Sequence, residues 1–172
     1  MDRLPVTEVR TARLLLRSFR PEDFDDLLRI WTDPRVTATL GGPSTPQKVR
    51  AFLNTSIAHW KTHDFGWWTM RLPDSDKFIG YGGLRHVMVE GQDEVEVGYG
   101  LFADYWGNGY ATELARESVH VAFDVLRLPA IVSFTLPTNL ASRHVMEKAG
   151  FRFERNITWA NLPHVLYRQV RG

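Results

Sequence analysis

The sequence predicts a single mixed α+β domain of about seven strands and four helices, and three observations carry that expectation. The chain has 172 residues, 44% of them hydrophobic, which suits one compact domain burying roughly two thirds or more of its unfolded surface. Hydrophobic periodicity switches repeatedly between two and 3.6 residues, with no internal repeat, low-complexity tract or interior linker. Consecutive strands fill the middle of the chain, so the pattern is not the strict strand–helix alternation of a parallel doubly wound fold.

Each element has a local reason. "RTARLLLRSF" (10–19) reads as a short apolar strand. "RPEDFDDLLRIWTDP" follows as a helix, with Pro21 at its start and acidic residues in its first turn, where the helix dipole favours them. "VTATLGGPSTPQ" (36–47) is a loop by its Gly and Pro content, and Val49, Phe52, Leu53, Ile57 and Trp60 then return at helical spacing through Lys61. From Phe65 to Leu84 the residues are aromatic and β-branched, interrupted by "LPDSDK", a hairpin turn by composition. "DEVEVGYGLF" (93–102) alternates as a further strand, and "ELARESVHVAFDVL" is an amphipathic helix. "AIVSFTL" (130–136) is a buried strand, "LASRHVMEKAG" a short helix ended by Gly150, and two weaker strands close the chain.

Composition excludes several function classes. Lys plus Arg total 21 against 20 Asp plus Glu, a formal charge of +1, which supplies no global field for nucleic acid or an anionic membrane. There is no cysteine, so disulfides, thiolate metal sites and a thiol nucleophile are all ruled out. The N-terminal stretch is charged every few residues, without the apolar run of a signal peptide, and no segment approaches roughly 18 apolar residues. A soluble cytoplasmic protein is expected, monomer or homodimer. His59 and His63 are spaced i,i+4 without an evident third ligand, so no metal is expected. Trp31, Trp60, Trp67 and Trp68 could wall a cleft or simply fill the core.

"DYWGNGYATELA" (104–115) holds the most specific signal. Gly107 and Gly109 precede a helix whose first N–H groups form a ready anion site, although a tight strand-to-helix turn would use the same residues. A phosphate-binding P-loop would need Lys-Ser/Thr after its second glycine, where this chain has Tyr110-Ala111. A dinucleotide fingerprint would need a third glycine and a parallel βαβ unit. Upstream, Val95, Val97, Tyr99 and Leu101 share one strand face, while Glu96, Gly98 and Gly100 share the other. Two strand glycines beside a carboxylate suggest a bulge, or a second chain of atoms lying against the backbone.

These residues resemble the GNAT superfamily of acetyl-coenzyme A dependent N-acetyltransferases, and within it the branch of ribosomal-protein N-terminal (alanine or serine) acetyltransferases. The resemblance runs in order through "TARLLLRSFRPEDFDDL", "FIGYGGL", "EVEVGYGLFADYWGNGYATE" and "TLPTNLASRHVMEKAGF". It implies a central, mostly antiparallel twisted sheet, splayed between its fourth and fifth strands. The family signature Gln/Arg-x-x-Gly-x-Gly/Ala falls on Trp106, Gly107, Asn108, Gly109, Tyr110 and Ala111, and Trp106 departs from it at the polar first position. The resemblance assigns the pyrophosphate of acetyl-coenzyme A to the backbone N–H groups of Gly107 to Ala111. It assigns the pantetheine arm to the strand backbone from Gly98 through Tyr99, Gly100, Leu101 and Phe102.

The same resemblance implies direct attack of a primary amine on the thioester, which needs no covalent enzyme intermediate. Glu96 is the expected base, with Glu94 or His86 as substitutes. Asn139 is expected to contact the pantetheine arm, a role compatible with capping a helix. The resemblance places Ser142 near the coenzyme sulfur as a candidate acid, a position where a first-turn helix serine would equally fit, and the chain departs from the many family members that use a tyrosine as acid, since none occurs between Asn139 and Phe151. The acceptor is expected to be a peptide or protein N-terminal α-amine. The alternatives are a small amine such as an antibiotic or polyamine, and a coenzyme-binding module without activity. The loop 36–47 has no carboxylate with which to gather a polycation.

Overall fold

The computed structural model describes residues 6–172. Within them eight strands form one sheet in the order β1-β2-β3-β4-β5-β6-β8-β7. The strands are β1 (Glu8–Arg10), β2 (Leu15–Ser18), β3 (Trp67–Leu72), β4 (Lys77–Val89), β5 (Gln92–Leu101), β6 (Ala130–Thr135), β7 (Arg152–Trp159) and β8 (Leu162–Val170). Five α-helices accompany them: α1 (Phe24–Thr32), α2 (Pro34–Thr37), α3 (Pro46–His63), α4 (Tyr110–His120) and α5 (Leu140–Lys148). The mixed, mostly antiparallel class is as expected. The extra strand is β1, three residues paired with β2, and the extra helix is α2, a single turn capped by the Asp33 carboxylate at the Arg35 N–H. Both are too short to leave a periodic signal.

Caps and turns fix the boundaries. Thr45 accepts a hydrogen bond from the Lys48 N–H ahead of Pro46, the first residue of α3, and Asn139 accepts one from the Ser142 N–H at the start of α5. Pro21 opens a 3-10 turn (Pro21–Asp23) rather than α1 itself, because the Asp23 carboxylate turns inward. It is buried there, accepting from Arg17, Arg71 and the Arg20 N–H, which ties this turn to the sheet.

The sheet separates two apolar layers. On one face Leu84, Val97 and Leu101 pack with Leu114, Ala115, Val121 and Met146 of the α4–α5 side. On the other, Trp67, Phe78 and Tyr81 pack with Leu27, Ile30 and Leu53 of the α1–α3 side. A bulge at Ile79, opposite Met70 and Arg71, reverses the alternation in β4. Ile79 and Tyr81 therefore belong to opposite layers although they are two residues apart.

Candidate active site

The site begins where β5 and β6, the only parallel strand pair among the described residues, stop pairing. β5 and β6 meet at Glu96 and Val132, and the Ser133 hydroxyl donates to the Val97 carbonyl at 2.7 Å. Beyond that point the strands diverge, and a cavity of about 870 Å³ runs through the sheet. The expected splay is present, between β5 and β6 once β1 is counted.

Alternation decides which β5 backbone groups face this opening. The Val97 carbonyl points toward β6, and the Leu101 carbonyl accepts from the Trp106 indole N–H at 3.2 Å. Tyr99 lies between them with the same orientation, so its N–H and carbonyl face the cleft. Gly98, Gly100 and Phe102 turn the other way. The Gly98 and Gly100 carbonyls lie against Gly82 and Gly80 of β4, and the Phe102 N–H donates to the Ile79 carbonyl. The expected pantetheine partners thus reduce to Tyr99 and Leu101, because the backbone groups of Gly98, Gly100 and Phe102 belong to the β4 ladder.

The glycine face also differs from expectation. A Cβ at Gly98 would stand 2.6 Å from the Trp67 ring, and one at Gly100 2.8 Å from the Tyr81 ring. Both glycines make room for the protein's own stacked pair, Trp67 and Tyr81, whose ring centroids are 5.3 Å apart. The Tyr81 hydroxyl accepts from the Trp31 indole at 2.7 Å, and burial pushes its pKa up to about 12. Trp31, Phe52, Trp67 and Tyr81 wall this end of the cavity, whereas Trp60 and Trp68 are core.

Glu96 sits against that aromatic wall, 5% exposed and lining the cavity. One carboxylate oxygen accepts from Arg85 Nε at 2.6 Å across the β4–β5 ladder. Burial raises its pKa above the ordinary carboxylate range, against the opposing pull of Arg85. Among the described lining residues it is the sole carboxylate, beside Arg85, Lys48 and Lys148. Glu94 is instead held in a bidentate pair with Arg168 at 2.7 and 3.0 Å, and His86 lines a separate hollow.

At the far side, Gly107 and Gly109 adopt left-handed φ of 77° and 81°, which favours glycine. A Cβ on Gly107 would meet nothing within 4 Å, so this backbone is open to approach. Among the described residues no side chain caps α4, and Tyr110, Ala111 and Thr112 of its first turn line the cavity. Asn108 does not: its carbonyl accepts from Arg13, and its side-chain amide donates to the Tyr105 and Trp106 carbonyls. Arg13 also pairs with Glu113 at 2.8 Å and lies over the Tyr110 ring, bracing the turn. Sequence reading missed this brace, since its partners lie 100 residues apart.

α5 supplies the third wall. Asn139 and Ser142 both line the cavity, and the Tyr99 hydroxyl reaches the Ser142 carbonyl and Oγ, each at 3.0 Å. The tyrosine missing from the α5 segment is therefore delivered from β5, on the face away from Glu96. Burial raises the Tyr99 pKa further above its ordinary value, so the hydroxyl keeps its proton. The histidines His59, His63 and His86 cluster outside this cavity, and no metal-binding group of three is assembled among the described residues.

A splayed sheet with open strand backbone, a buried carboxylate on one side and an uncapped glycine turn on the other is the arrangement that the resemblance to acyl-group transferases implies. Residues 13–152 match the acetyltransferase (GNAT) domain family, and the chain belongs to that family. It is an enzyme that acetylates amines. It is 27% identical over 164 residues to the uncharacterized protein YkkB of Bacillus subtilis, covering 95% of each chain. An acetyltransferase from Agrobacterium tumefaciens superposes with a TM-score of 0.86 at 27% identity, over 98% of this chain and 96% of that one. The fold alone is shared at 18% identity with the ribosomal-protein-S5-alanine acetyltransferase of Vibrio fischeri (TM-score 0.76, 95% and 96% covered). The same holds at 22% for the aminoglycoside acetyltransferase AAC(6')-Ib in complex with coenzyme A (TM-score 0.74, 91% and 94% covered). Among the described residues no helix is long and apolar enough to cross a membrane.

Proposed function

We propose that the protein transfers the acetyl group of acetyl-coenzyme A to a primary amine of low basicity, such as a peptide N-terminal α-amine, with Glu96 as base. The observation that carries this reading is Glu96 itself, buried at the cavity wall with one carboxylate oxygen unpaired among the described residues.

The cavity suits the donor. The open approach at Gly107 and the uncapped first turn of α4 offer N–H groups to a pyrophosphate. The Tyr99 backbone and the Leu101 N–H offer an extended edge to the pantetheine arm, and Asn139 lines the same cavity. When bound, acetyl-coenzyme A supplies a thioester open to direct amine attack. The Tyr99 N–H is placed to polarise a carbonyl lying in the splay. Glu96, held unusually basic for a carboxylate, takes the proton that the attacking amine loses. Tyr99 and Ser142 stand on the opposite side, where a proton for the departing thiolate is needed.

Acceptor charge follows from the same inventory. A lysine amine near pKa 10.4 costs about 3.3 kcal/mol more to deprotonate than an α-amine near 8. One carboxylate, already paired with Arg85, gives little with which to gather a polycation. AAC(6')-Ib is by name an aminoglycoside acetyltransferase, and the cavity here lacks the anionic lining such a substrate favours.

The test is thiol release from acetyl-coenzyme A with a panel of peptides and amines, in wild type and Glu96→Gln. The variant should keep its donor-induced melting shift while turnover falls by about 10²- to 10⁴-fold. Turnover within threefold of wild type would remove Glu96 from the base role, and preference for spermidine over α-amines would overturn the acceptor class.

A further inference from the structure

Arg85 is held more rigidly than a counter-ion for Glu96 requires. Its Nε donates to Glu96 at 2.6 Å, its guanidinium carbon stands 5.1 Å from the Trp67 ring centroid and 5.9 Å from that of Trp159, and its side chain is only 29% exposed. Its two terminal nitrogens have no hydrogen-bond partner among the described residues. A guanidinium fixed at Nε and between aromatic faces presents those nitrogens as a fork with little ordering left to lose on binding. Beside it the Trp67 indole N–H, in a side chain 7% exposed, is buried without an acceptor. Both residues line the main cavity, and both also line a second hollow of about 100 Å³ with Ser56, His59 and His86.

The Arg85 terminal nitrogens are donors without a partner among the described residues, so they ask for an acceptor of hydrogen bonds, and the cationic fork asks for an anion. A protonated amine arriving at the free oxygen of Glu96 would add positive charge to a cavity already holding Lys48 and Lys148 beside the neutral Glu96–Arg85 pair. A carboxylate a few bonds from that amine cancels the added charge and fills the fork bidentately. The register fixes the spacing, because Arg85 and Glu96 are directly opposite across β4 and β5.

We propose that Arg85 binds a carboxylate carried by the acceptor close to its reacting amine, so that the preferred acceptors are zwitterionic. The inference rests on the reading of this cleft as the acceptor site. The carboxylate can come from a free amino acid or from an acidic side chain following a peptide's N-terminal amine. Trp31, Phe52 and Tyr81 beside the fork suit an acceptor with an apolar or aromatic body.

Two measurements test this with the full chain. In the first, kcat/KM is compared for phenylalanine, leucine and methionine against their carboxamides, and for peptides with Asp or Glu against Asn or Gln at the second position. A carboxamide lowers the basicity of its amine, so charge state alone favours the amide. Fork recognition predicts the reverse, by tenfold or more for whichever source the site accepts. Arg85→Lys, which keeps a cation beside Glu96, and Arg85→Gln should both bring the ratio near one. In the second, binding of N-acetylphenylalanine and of its carboxamide is followed by calorimetry in the presence of coenzyme A, which needs no turnover. Tighter binding of the carboxylate, lost in both Arg85 variants, supports the fork even if no tested amine is acetylated, and in that case only the acceptor-amine reading fails. Turnover with a ratio near one in wild type, a ratio unchanged in the Arg85 variants, or no preference for the carboxylate product would overturn the proposal.

Discussion

Replacing Gly107 by alanine separates the fold's use of that glycine from a ligand's use of it. At φ 77° an alanine pays the left-handed penalty, about 1–2 kcal/mol. A domain of this size loses roughly 2–4 °C of Tm per kcal/mol, so the free protein should melt about 2–8 °C lower. No packing cost adds to this, because the new methyl would meet no protein atom within 4 Å. The methyl would stand in the space through which a phosphate must approach the α4 amides. At a hundredfold excess over Kd, acetyl-coenzyme A should raise wild-type stability by about 2.7 kcal/mol. A tenfold weaker Kd would cut that gain to about 1.4 kcal/mol at the same concentration. Scanning fluorimetry across a coenzyme titration reads both numbers. A lower Tm with an undiminished coenzyme shift would refute the phosphate cradle. Gly109 makes a poorer probe, since its Cβ would meet the Arg13 guanidinium at 3.3 Å and loosen the brace as well.

Tyr99→Phe should lower kcat far more than it changes KM, by about 10²-fold if the hydroxyl delivers the proton, with Ser142→Ala milder; equal kcat in Tyr99→Phe would leave the hydroxyl only a packing role. The kcat/KM profile should rise through an apparent pKa above the ordinary carboxylate range, because burial raises that of Glu96, and the limb should vanish from the residual activity of Glu96→Gln. His59 should make the fold acid-sensitive. Burial lowers its pKa to about 4, its Nδ1–H donates to the Phe65 carbonyl, and its Nε2 accepts from the His86 N–H. The neutral ring is the form the fold holds, so its contribution is present above the unfolded value near 6.5 and is lost as pH falls through about 4. After solvent screening this is on the order of 1–2 kcal/mol. The Tm gap between wild type and His59→Gln should narrow between pH 7 and 4, and a constant gap would exclude the linkage.

The parts of this site that were legible in the sequence are those whose cause is local. Glycines at 107 and 109 before a helix, Asn139 at a cap, and Glu96 opposite a run of inward apolar residues each follow from spacing along a single element. Expectation failed where two elements share one space. Gly98 and Gly100 read as room for a ligand, yet only the register of β3 and β4 shows that the Trp67 and Tyr81 rings already occupy it. The bulge at Ile79, which sends Tyr81 to that face, leaves no trace in periodicity.

By itself the sequence determined the class of fold and the glycine turn into α4, and it singled out Glu96 as the carboxylate proposed for the base role, because periodicity, backbone freedom and side-chain chemistry are properties of neighbouring residues. Only the tertiary structure decided that Tyr99 and Leu101 present the open backbone, that Tyr99 meets Ser142, that Glu94 is taken by Arg168, and that Arg85 is locked beside Glu96 with its terminal nitrogens unpaired. Those outcomes depend on strand register and on where β5 and β6 part. They are set by the packing of residues 11 to 74 positions apart, which compete for the same space and the same partners.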